Sequence, residues 1–398
     1  MLKPPSDKTQ IEENVRLELG EMSPDGDTLA MFDGEQIPVC GGIMGEVVEA
    51  TIRRFTKRRK RVTVGVVEDI IQASPHRVAP PCPYYGPCTG CDWQHIAYPH
   101  QLQLKRERIQ KALASHPELA DVPVAETLPS PSQFGYRNHA RFTVRNQGQL
   151  GFVNRVTRRW TRVDECMLMD PGINEKLAEL QDKADTSQLS IRYGINTDEW
   201  LIQPRMSIST PTGQAYYKEK LLDRTFRVAS PSFFQVNTKQ AEQLAEKIRE
   251  RLTPAENLTV VDAYAGVGTF AVLLAPHVKR VILIEESPAA VKDAAINAIG
   301  LDNVGFMEGR TEDVLATLDE RPDVLILDPP RVGCHPDAIA AAVRLSPPTL
   351  LYVSCVPETA ARDLALLAQG GYTVENVEPV DMFPQTHHVE CLATLRLA

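Results

Sequence analysis

The chain has 398 residues, 43% of them hydrophobic and 24% charged, with Gly and Pro near ordinary usage. That balance excludes a disordered, collagen-like or coiled-coil chain and allows a sizeable buried core, and the length suggests two or three domains. The net charge is −9, which on its face argues against a nucleic-acid partner. The distribution argues the other way: residues 53–61 (RRFTKRRKR) carry seven positive charges and no acid, and residues 127–163 hold seven arginines with no Asp, Glu or Lys. With those fourteen set aside, the remainder carries −23. Such segregated charge suits phosphate neutralisation and points to RNA or DNA; the plainer reading is a solvated hairpin and an arginine-rich sheet surface.

The N-terminal MLKPPSDKTQIEENV has no apolar core of a secretory signal, and the longest mostly apolar run, Leu258 to Pro276, contains Asp262 and two glycines. It reads as strand, turn and helix rather than a membrane span, so a soluble cytoplasmic protein is expected, with no membrane partner. Residues 10–71 alternate short strand-like runs (Asn14–Leu19, Val47–Ile52, Val62–Val67) with Gly and Asp turns, as in a small barrel. The basic run lies between the last two of these, at a hairpin tip. Residues 75–100 are rich in Pro and Cys and lack periodicity, which predicts a loop needing a staple. A polar helix is expected from Gln101 to Ala114. From about 123 to 228 the pattern is strand-like, with a helix near Gly172–Lys183, and FGYRNHARFTVR (134–145) interleaves Tyr136 and Phe142 with Arg137, Arg141 and Arg145. In a strand those arginines share a face fit for phosphates, with Phe142 turned to the core. After Ser230 apolar strands alternate with helices, as in a parallel α/β sheet.

Eight cysteines are too dilute for a disulfide scaffold. Four of them, Cys82, Cys88, Cys91 and the distant Cys166, have spacings that suit one metal centre, zinc or iron–sulfur, and spacing alone does not choose.

In the α/β region, LTVVDAYAGVGTFAVLLA is a strand, a turn with Gly266 and Gly268, and a helix. The next strand, RVILIE, ends at Glu285, where a carboxylate can bind a ribose diol. The third glycine of a dinucleotide fingerprint is missing, so S-adenosylmethionine fits better than a dinucleotide. The following strand ends in Asp328-Pro329-Pro330-Arg331, whose loop faces the same crevice. The strand TLLYVSC then delivers Cys355 to that crevice. In HHVECLATLRL, period-two alternation puts Glu390 on one face and Cys391 on the other, with Cys391 in the core. An acid in an apolar strand is costly unless it has a task.

Cys355 and Glu390 together suit a defined chemistry. Carbon 5 of uracil takes a methyl group once a thiolate has added to carbon 6, and a base must then remove the carbon-5 proton so that the thiolate can leave. A cytosine or exocyclic-amine methyltransferase and an RNA-binding module with an inert site are the competing readings.

These residues resemble the S-adenosylmethionine-dependent RNA uracil-5-methyltransferases over most of the chain, through SFFQVN (232–237), DAYAGVGTF (262–270), ILDPPR (326–331), YVSC (352–355) and HHVECLATL (387–395). The resemblance implies Cys355 as nucleophile, Glu390 as base, and Gln235, Tyr264, Thr269, Glu285, Glu312 and Asp328 as cofactor-binding residues. It also implies a [4Fe-4S] cluster on the four cysteines, as in the family's ribosomal-RNA branch. Three regions are then expected: a TRAM-like, OB-like RNA-binding barrel (1–72), a central mostly-β domain (73–228) and a class I, Rossmann-like methyltransferase domain (229–398). The partner implied is RNA, 23S ribosomal RNA ahead of the T-loop of tRNA, acted on by a monomer.

Overall fold

A computed structural model describes residues 10–57, 60–252 and 254–398 of the chain. The polar start of the chain (1–9) and Arg58-Arg59 of the basic run lie outside the described residues. The chain divides into two compact units: residues 1–101, 151–163 and 385–387 form one, and residues 102–150, 164–384 and 388–398 the other.

The first unit opens with five strands, β1 (Gln10–Glu18), β2 (Thr28–Phe32), β3 (Glu35–Cys40), β4 (Val47–Lys57) and β5 (Lys60–Gln72), paired in the order β1-β4-β5-β3-β2. The three strands expected from alternation are present, each longer than its apolar run. β2 and β3 join them through Asp33-Gly34, both at positive φ as a tight hairpin turn requires. Leu17, Ile37, Val39, Val48, Ala50 and Ile52 supply the core. The described residues of the basic run, 53–57 and 60–61, lie in β4 and β5 at the end where Lys57 pairs with Lys60.

Residues 73–97 contain no helix or strand, and their staple comes from side chains. Glu46, fully buried, accepts from Ser74 N at 3.0 Å and from Arg77 Nε and Nη2 at 2.6 Å. Trp93 is buried and donates through Nε1 to Gly26 O at 2.9 Å. Gln101 Nε2 reaches the Trp93 and Ile96 carbonyls at 3.1 and 2.8 Å.

α1 (Tyr98–Ala114) begins three residues earlier than the sequence pattern suggested. Of its apolar residues, Leu104, Ile109, Ala112 and Leu113 are buried, together with Lys105. The Lys105 ammonium is neutralised by Asp381 at 2.5 Å and donates to Phe383 O at 3.0 Å, which is why a cation tolerates that position. β6 (His139–Arg145) starts beyond Arg137, whose Nε donates to His139 O. Arg137 is therefore outside the strand and does not alternate with Arg141 and Arg145, contrary to expectation. Tyr136 is buried and donates to Pro384 O, and Phe142 is in the core as anticipated. The hairpin β7 (Gln149–Val153) and β8 (Trp160–Arg162) follows, its residues from 151 onward belonging to the first unit.

In the second unit come α2 (Pro171–Leu180), capped by Asp170, then β9 (Gln188–Gly194), β10 (Glu199–Gln203) and the hairpin β11 (Tyr216–Leu221) and β12 (Arg224–Ala229). β9 pairs antiparallel with both β6 and β10.

The rest is α/β: α3 (Thr238–Arg251), β13 (Thr259–Ala263), α4 (Thr269–Leu274), β14 (Arg280–Glu285), α5 (Pro288–Asn297), β15 (Val304–Glu308), α6 (Thr311–Thr317), β16 (Val324–Leu327), α7 (Pro336–Leu345), β17 (Thr349–Ser354), α8 (Pro357–Gln369), β18 (Tyr372–Val380) and β19 (Glu390–Leu397). The seven strands run β15-β14-β13-β16-β17-β19-β18, with β18–β19 and β17–β19 antiparallel and the other pairs parallel. Helices cover both faces, so successive residues serve opposite cores: Val261, Ile282 and Leu325 on one side, Val260, Leu283 and Ile326 on the other. The order reverses between β13 and β16, the switch point where open α/β sheets bind ligands beyond the strands' carboxyl ends. Among the described residues no helix is long and apolar enough to cross a membrane.

Candidate active site

Two loops leave the switch point, the glycine loop after β13 and the Asp328-Pro329-Pro330 loop after β16. In the first, Tyr264 and Gly266 take positive φ, and nothing lies within 4 Å of where a Gly266 Cβ would be, so bare backbone faces an open cradle. Gly268 caps α4 at φ +82°, where a Cβ would meet Leu283 at 3.0 Å and Ala294 at 3.3 Å, a close helix–strand approach that only glycine permits.

Glu285 ends β14 and accepts from Gly266 N and Ser287 N, both at 2.8 Å. Each oxygen keeps a lone pair for a further donor, as a ribose diol demands. Asp262 is fully buried; one oxygen accepts from Ala271 N at 2.9 Å and the other has no partner. Burial, with the charges of Asp328 and Glu285 adding to it against the Ala271 bond, pushes this carboxyl up to about 8. Open backbone, a strand-end carboxylate and an orphaned acceptor together fit a nucleoside cofactor. Thr269 starts α4, and Glu312 stands in the first turn of α6, 3.4 Å from Arg310 Nε.

The register of β17 and β19 assembles the reactive pair. Ser354 is opposite Cys391, so Cys355 and Glu390 are the next two residues out on adjacent strands. Cys391 packs with Val389 and Ala393 in one core while Leu392 joins the other, as alternation predicted. Glu390 is buried, and burial followed by the Asp328 charge lifts its carboxyl well above the ordinary range, opposed by Arg331. Burial first, then Glu390, pushes the Cys355 thiol up to about 11, again opposed by Arg331. Asp328 is raised to about 7 by burial. Cys355, Glu390, Asp328 and Arg331 thus feel one another's charge.

Gln235 sits in a loop clamped on two sides. Asn138 donates from its backbone to Val236 O and from Nδ2 to Gln235 O, both at 3.0 Å, and Arg192 Nη1 donates to Ser232 O at 2.7 Å. Asp293 and Asn297 hold the same segment further back. None of these four stood out in the sequence, because a buried Asn, Asp or Arg that serves a carbonyl or amide leaves no spacing signature.

Cys82, Cys88 and Cys91 lie in the first unit and Cys166 in the second, and among the described residues no three His, Cys, Asp or Glu side chains are grouped to hold a metal ion. The donor chemistry of the loop does suit metal thiolates: Gly90 N donates to Cys88 Sγ at 3.4 Å and Gln94 Nε2 to Cys91 Sγ at 2.9 Å. Asn154 Nδ2 holds the Gly86 and Pro87 carbonyls between those thiols.

Comparison with known proteins agrees with this geometry. Residues 213–397 match the family model described as tRNA (uracil-5-)-methyltransferase. An uncharacterized RNA methyltransferase of Gloeobacter violaceus is 33% identical over 96% of both chains, and one of Oceanobacillus iheyensis 30% identical over 99% of this chain and 98% of its own. The crystal structure of Pyrococcus abyssi tRNA (uracil-54, C5)-methyltransferase with S-adenosyl-L-homocysteine superposes with a TM-score of 0.73 at 26% identity, over 96% of this chain and all of that one. With β17 and β19 bringing a cysteine and a buried glutamate to the switch-point crevice, and with relatives matched along nearly its whole length, the chain belongs to the RNA (uracil-5-)-methyltransferase family.

Proposed function

We propose that the protein transfers a methyl group from S-adenosylmethionine to carbon 5 of a uridine in RNA, with Cys355 as nucleophile and Glu390 as base. The antiparallel register that sets Cys355 beside Glu390 carries this reading. Amine methylation needs neither a nucleophile nor a second proton acceptor. The cofactor supplies an electrophilic methyl group; Glu285 and the Gly266 backbone would hold its nucleoside, with Gln235, Tyr264, Thr269, Glu312 and Asp328 lining it.

Cys355 gives up its proton to solvent, and Arg331 favours the resulting thiolate. The sulfur forms a bond to carbon 6, and the electron pair displaced toward carbon 5 would form the bond to the methyl group as that group's bond to the cofactor sulfur breaks, with S-adenosylhomocysteine as the leaving group. Glu390 as carboxylate then takes the carbon-5 proton, the carbon 5–carbon 6 double bond returns, and the carbon–sulfur bond breaks to regenerate the thiolate. A base must leave its stack to meet Cys355, which favours a folded RNA loop over a continuous duplex.

The substrate we favour is 23S ribosomal RNA, because the four-cysteine set resembles that branch of the family. The tRNA T-loop is the second reading, favoured by the named activity of the Pyrococcus abyssi structure. Unmethylated ribosomal and transfer RNA, incubated separately with protein and cofactor and digested for nucleoside mass spectrometry, distinguish them. New 5-methyluridine in ribosomal RNA is expected; its appearance only in tRNA selects the second reading, and none in either pool overturns both.

We further propose that Cys82, Cys88, Cys91 and Cys166 hold a [4Fe-4S] cluster that fixes the loop, supported by the N–H donors at Cys88 and Cys91. The methyl transfer itself calls for no electron transfer. Anaerobically purified protein should be brown with about four irons per chain, whereas stoichiometric zinc refutes the cluster.

A further inference from the structure

The open face of β6 and β9 forms a pocket of about 450 Å³ that the proposed reaction has not used. Period-two alternation builds it. Ala140, Phe142, Leu189 and Ile191 turn into the core, which leaves His139 and Arg141 on β6 and Gln188, Ser190 and Arg192 on β9 facing outward. The register puts His139 opposite Arg192 and Arg141 opposite Ser190. Ser230 also lines it.

No carboxylate lines this pocket. Arg141 Nη2 donates to the neutral Gln188 Oε1 at 2.6 Å, and His139 shares a hydrogen bond with Ser190 Oγ at 3.0 Å. Burial, then the neighbouring arginines, pushes His139 down to about 3, so the imidazole is neutral and adds no charge. Arg192 is partly buried, and its one hydrogen bond is to the Ser232 carbonyl; among the described residues no carboxylate pairs with it. The acid nearest in effect is the Tyr217 phenol, which burial keeps protonated. A guanidinium drawn out of water without a counter-charge costs several kcal/mol. Among the described residues, buried Lys105 has Asp381 and half-buried Arg227 has Asp293.

We propose that this pocket is a subsite for one backbone phosphate of the RNA, held by Arg192 and Arg141, and that the bound strand supplies the anion the protein lacks there. A phosphate has the acceptor geometry for an arginine fork, and Ser190, Ser230 and Gln188 offer neutral donors around it. Because Arg192 also holds Ser232 O, a strand seated here lies beside the segment that carries Gln235. The subsite rests on the RNA-methyltransferase reading, but its test is independent of turnover.

The test is the anisotropy of a fluorescein-labelled 12-nucleotide polyuridylate, titrated with full-length protein across a salt series. Arg192→Gln should weaken binding about tenfold and make the slope of log K against log salt shallower by about 0.7, the value for one contact on a single strand. Arg192→Lys keeps the charge and should keep the slope. Arg141→Gln, which leaves the Arg192–Ser232 contact in place, should give the same shallower slope, with affinity for S-adenosylhomocysteine, measured by calorimetry, within twofold of the wild type. An unchanged slope in Arg192→Gln overturns the subsite. So does a cofactor affinity that falls in step with RNA affinity in Arg141→Gln, whose side chain does not hold the Gln235 segment. Should Arg192→Gln fail to fold, Gln188→Glu sets a carboxylate into the pocket from the exposed face, and the same weakening and shallower slope are expected.

Discussion

Asp293 and Asn297, one turn apart on α5, hold two separate loops of the candidate cofactor site. Asn297 Oδ1 accepts from Arg227 N at 2.7 Å while its Nδ2 donates to Arg227 O at 3.1 Å and to Val267 O, in the glycine loop, at 3.0 Å. Asp293, fully buried, pairs with Arg227 and accepts from Ala229 N at 2.7 Å and Ser232 Oγ at 2.9 Å. Both residues follow Glu285 on the same β–α unit, so one helix indexes the ribose carboxylate, the glycine loop and the approach to Gln235 to one another.

Asn297→Ala therefore removes three hydrogen bonds without removing a charge. The KM for S-adenosylmethionine should rise about tenfold, while the KM for RNA changes less than threefold. Equal increases in both would show general loosening of the fold instead. Asp293→Asn strands the Arg227 guanidinium and should cost about 3 kcal/mol of stability in a urea titration.

The catalytic assignment separates the two residues by where the reaction stops. Cys355→Ala should leave no detectable 5-methyluridine and no protein–RNA adduct. Glu390→Gln should permit methyl transfer and then stall, giving an adduct that survives denaturing electrophoresis and carries label from methyl-labelled cofactor. Clean release of methylated RNA by Glu390→Gln removes Glu390 from the base role.

Turnover should climb with pH. Burial and the neighbouring carboxylate hold the Cys355 thiol near 11, so below that value the thiolate fraction grows up to about tenfold per pH unit. Burial and Asp328 raise Glu390, so its carboxylate form also gains as pH rises. The two act in the same direction, and single-turnover rates should increase throughout pH 6 to 9. A plateau below pH 7 contradicts this environment for Cys355.

Asp262 gives a stability prediction of definite sign. Its carboxyl ionises near 3.8 in an unfolded chain and near 8 in the folded one. The folded state thus binds the proton more tightly, and the stability this contributes is complete below pH 4 and lost as pH rises through 8. Asp262→Asn keeps an acceptor for Ala271 N and has no such proton. Relative to the wild type, the variant should gain more than about 1 kcal/mol between pH 5 and pH 8, measured by urea unfolding at each pH. Parallel pH dependences would place Asp262 in a more polar setting than its burial implies.

The sequence by itself determined the elements whose period the core enforces. Strands β13, β14, β16, β17 and β19 run through apolar residues that must be buried on both faces, and the glycines, Glu285, Asp328, Cys355 and Glu390 mark where those runs stop. The faces of Glu390 and Cys391 followed from a period of two, because a strand allows no other. Only the tertiary structure decided what depends on partners far away in the chain. Lys105 is buried because Asp381 meets it, and Arg137 leaves the arginine row because β6 begins two residues later. Asn138, Asp293 and Asn297 work by single hydrogen bonds to distant backbone, which no local pattern encodes. The charge of Arg192 shows the same limit from the other side: the sequence counts an arginine, but only packing reveals that, among the described residues, no acid pairs with it.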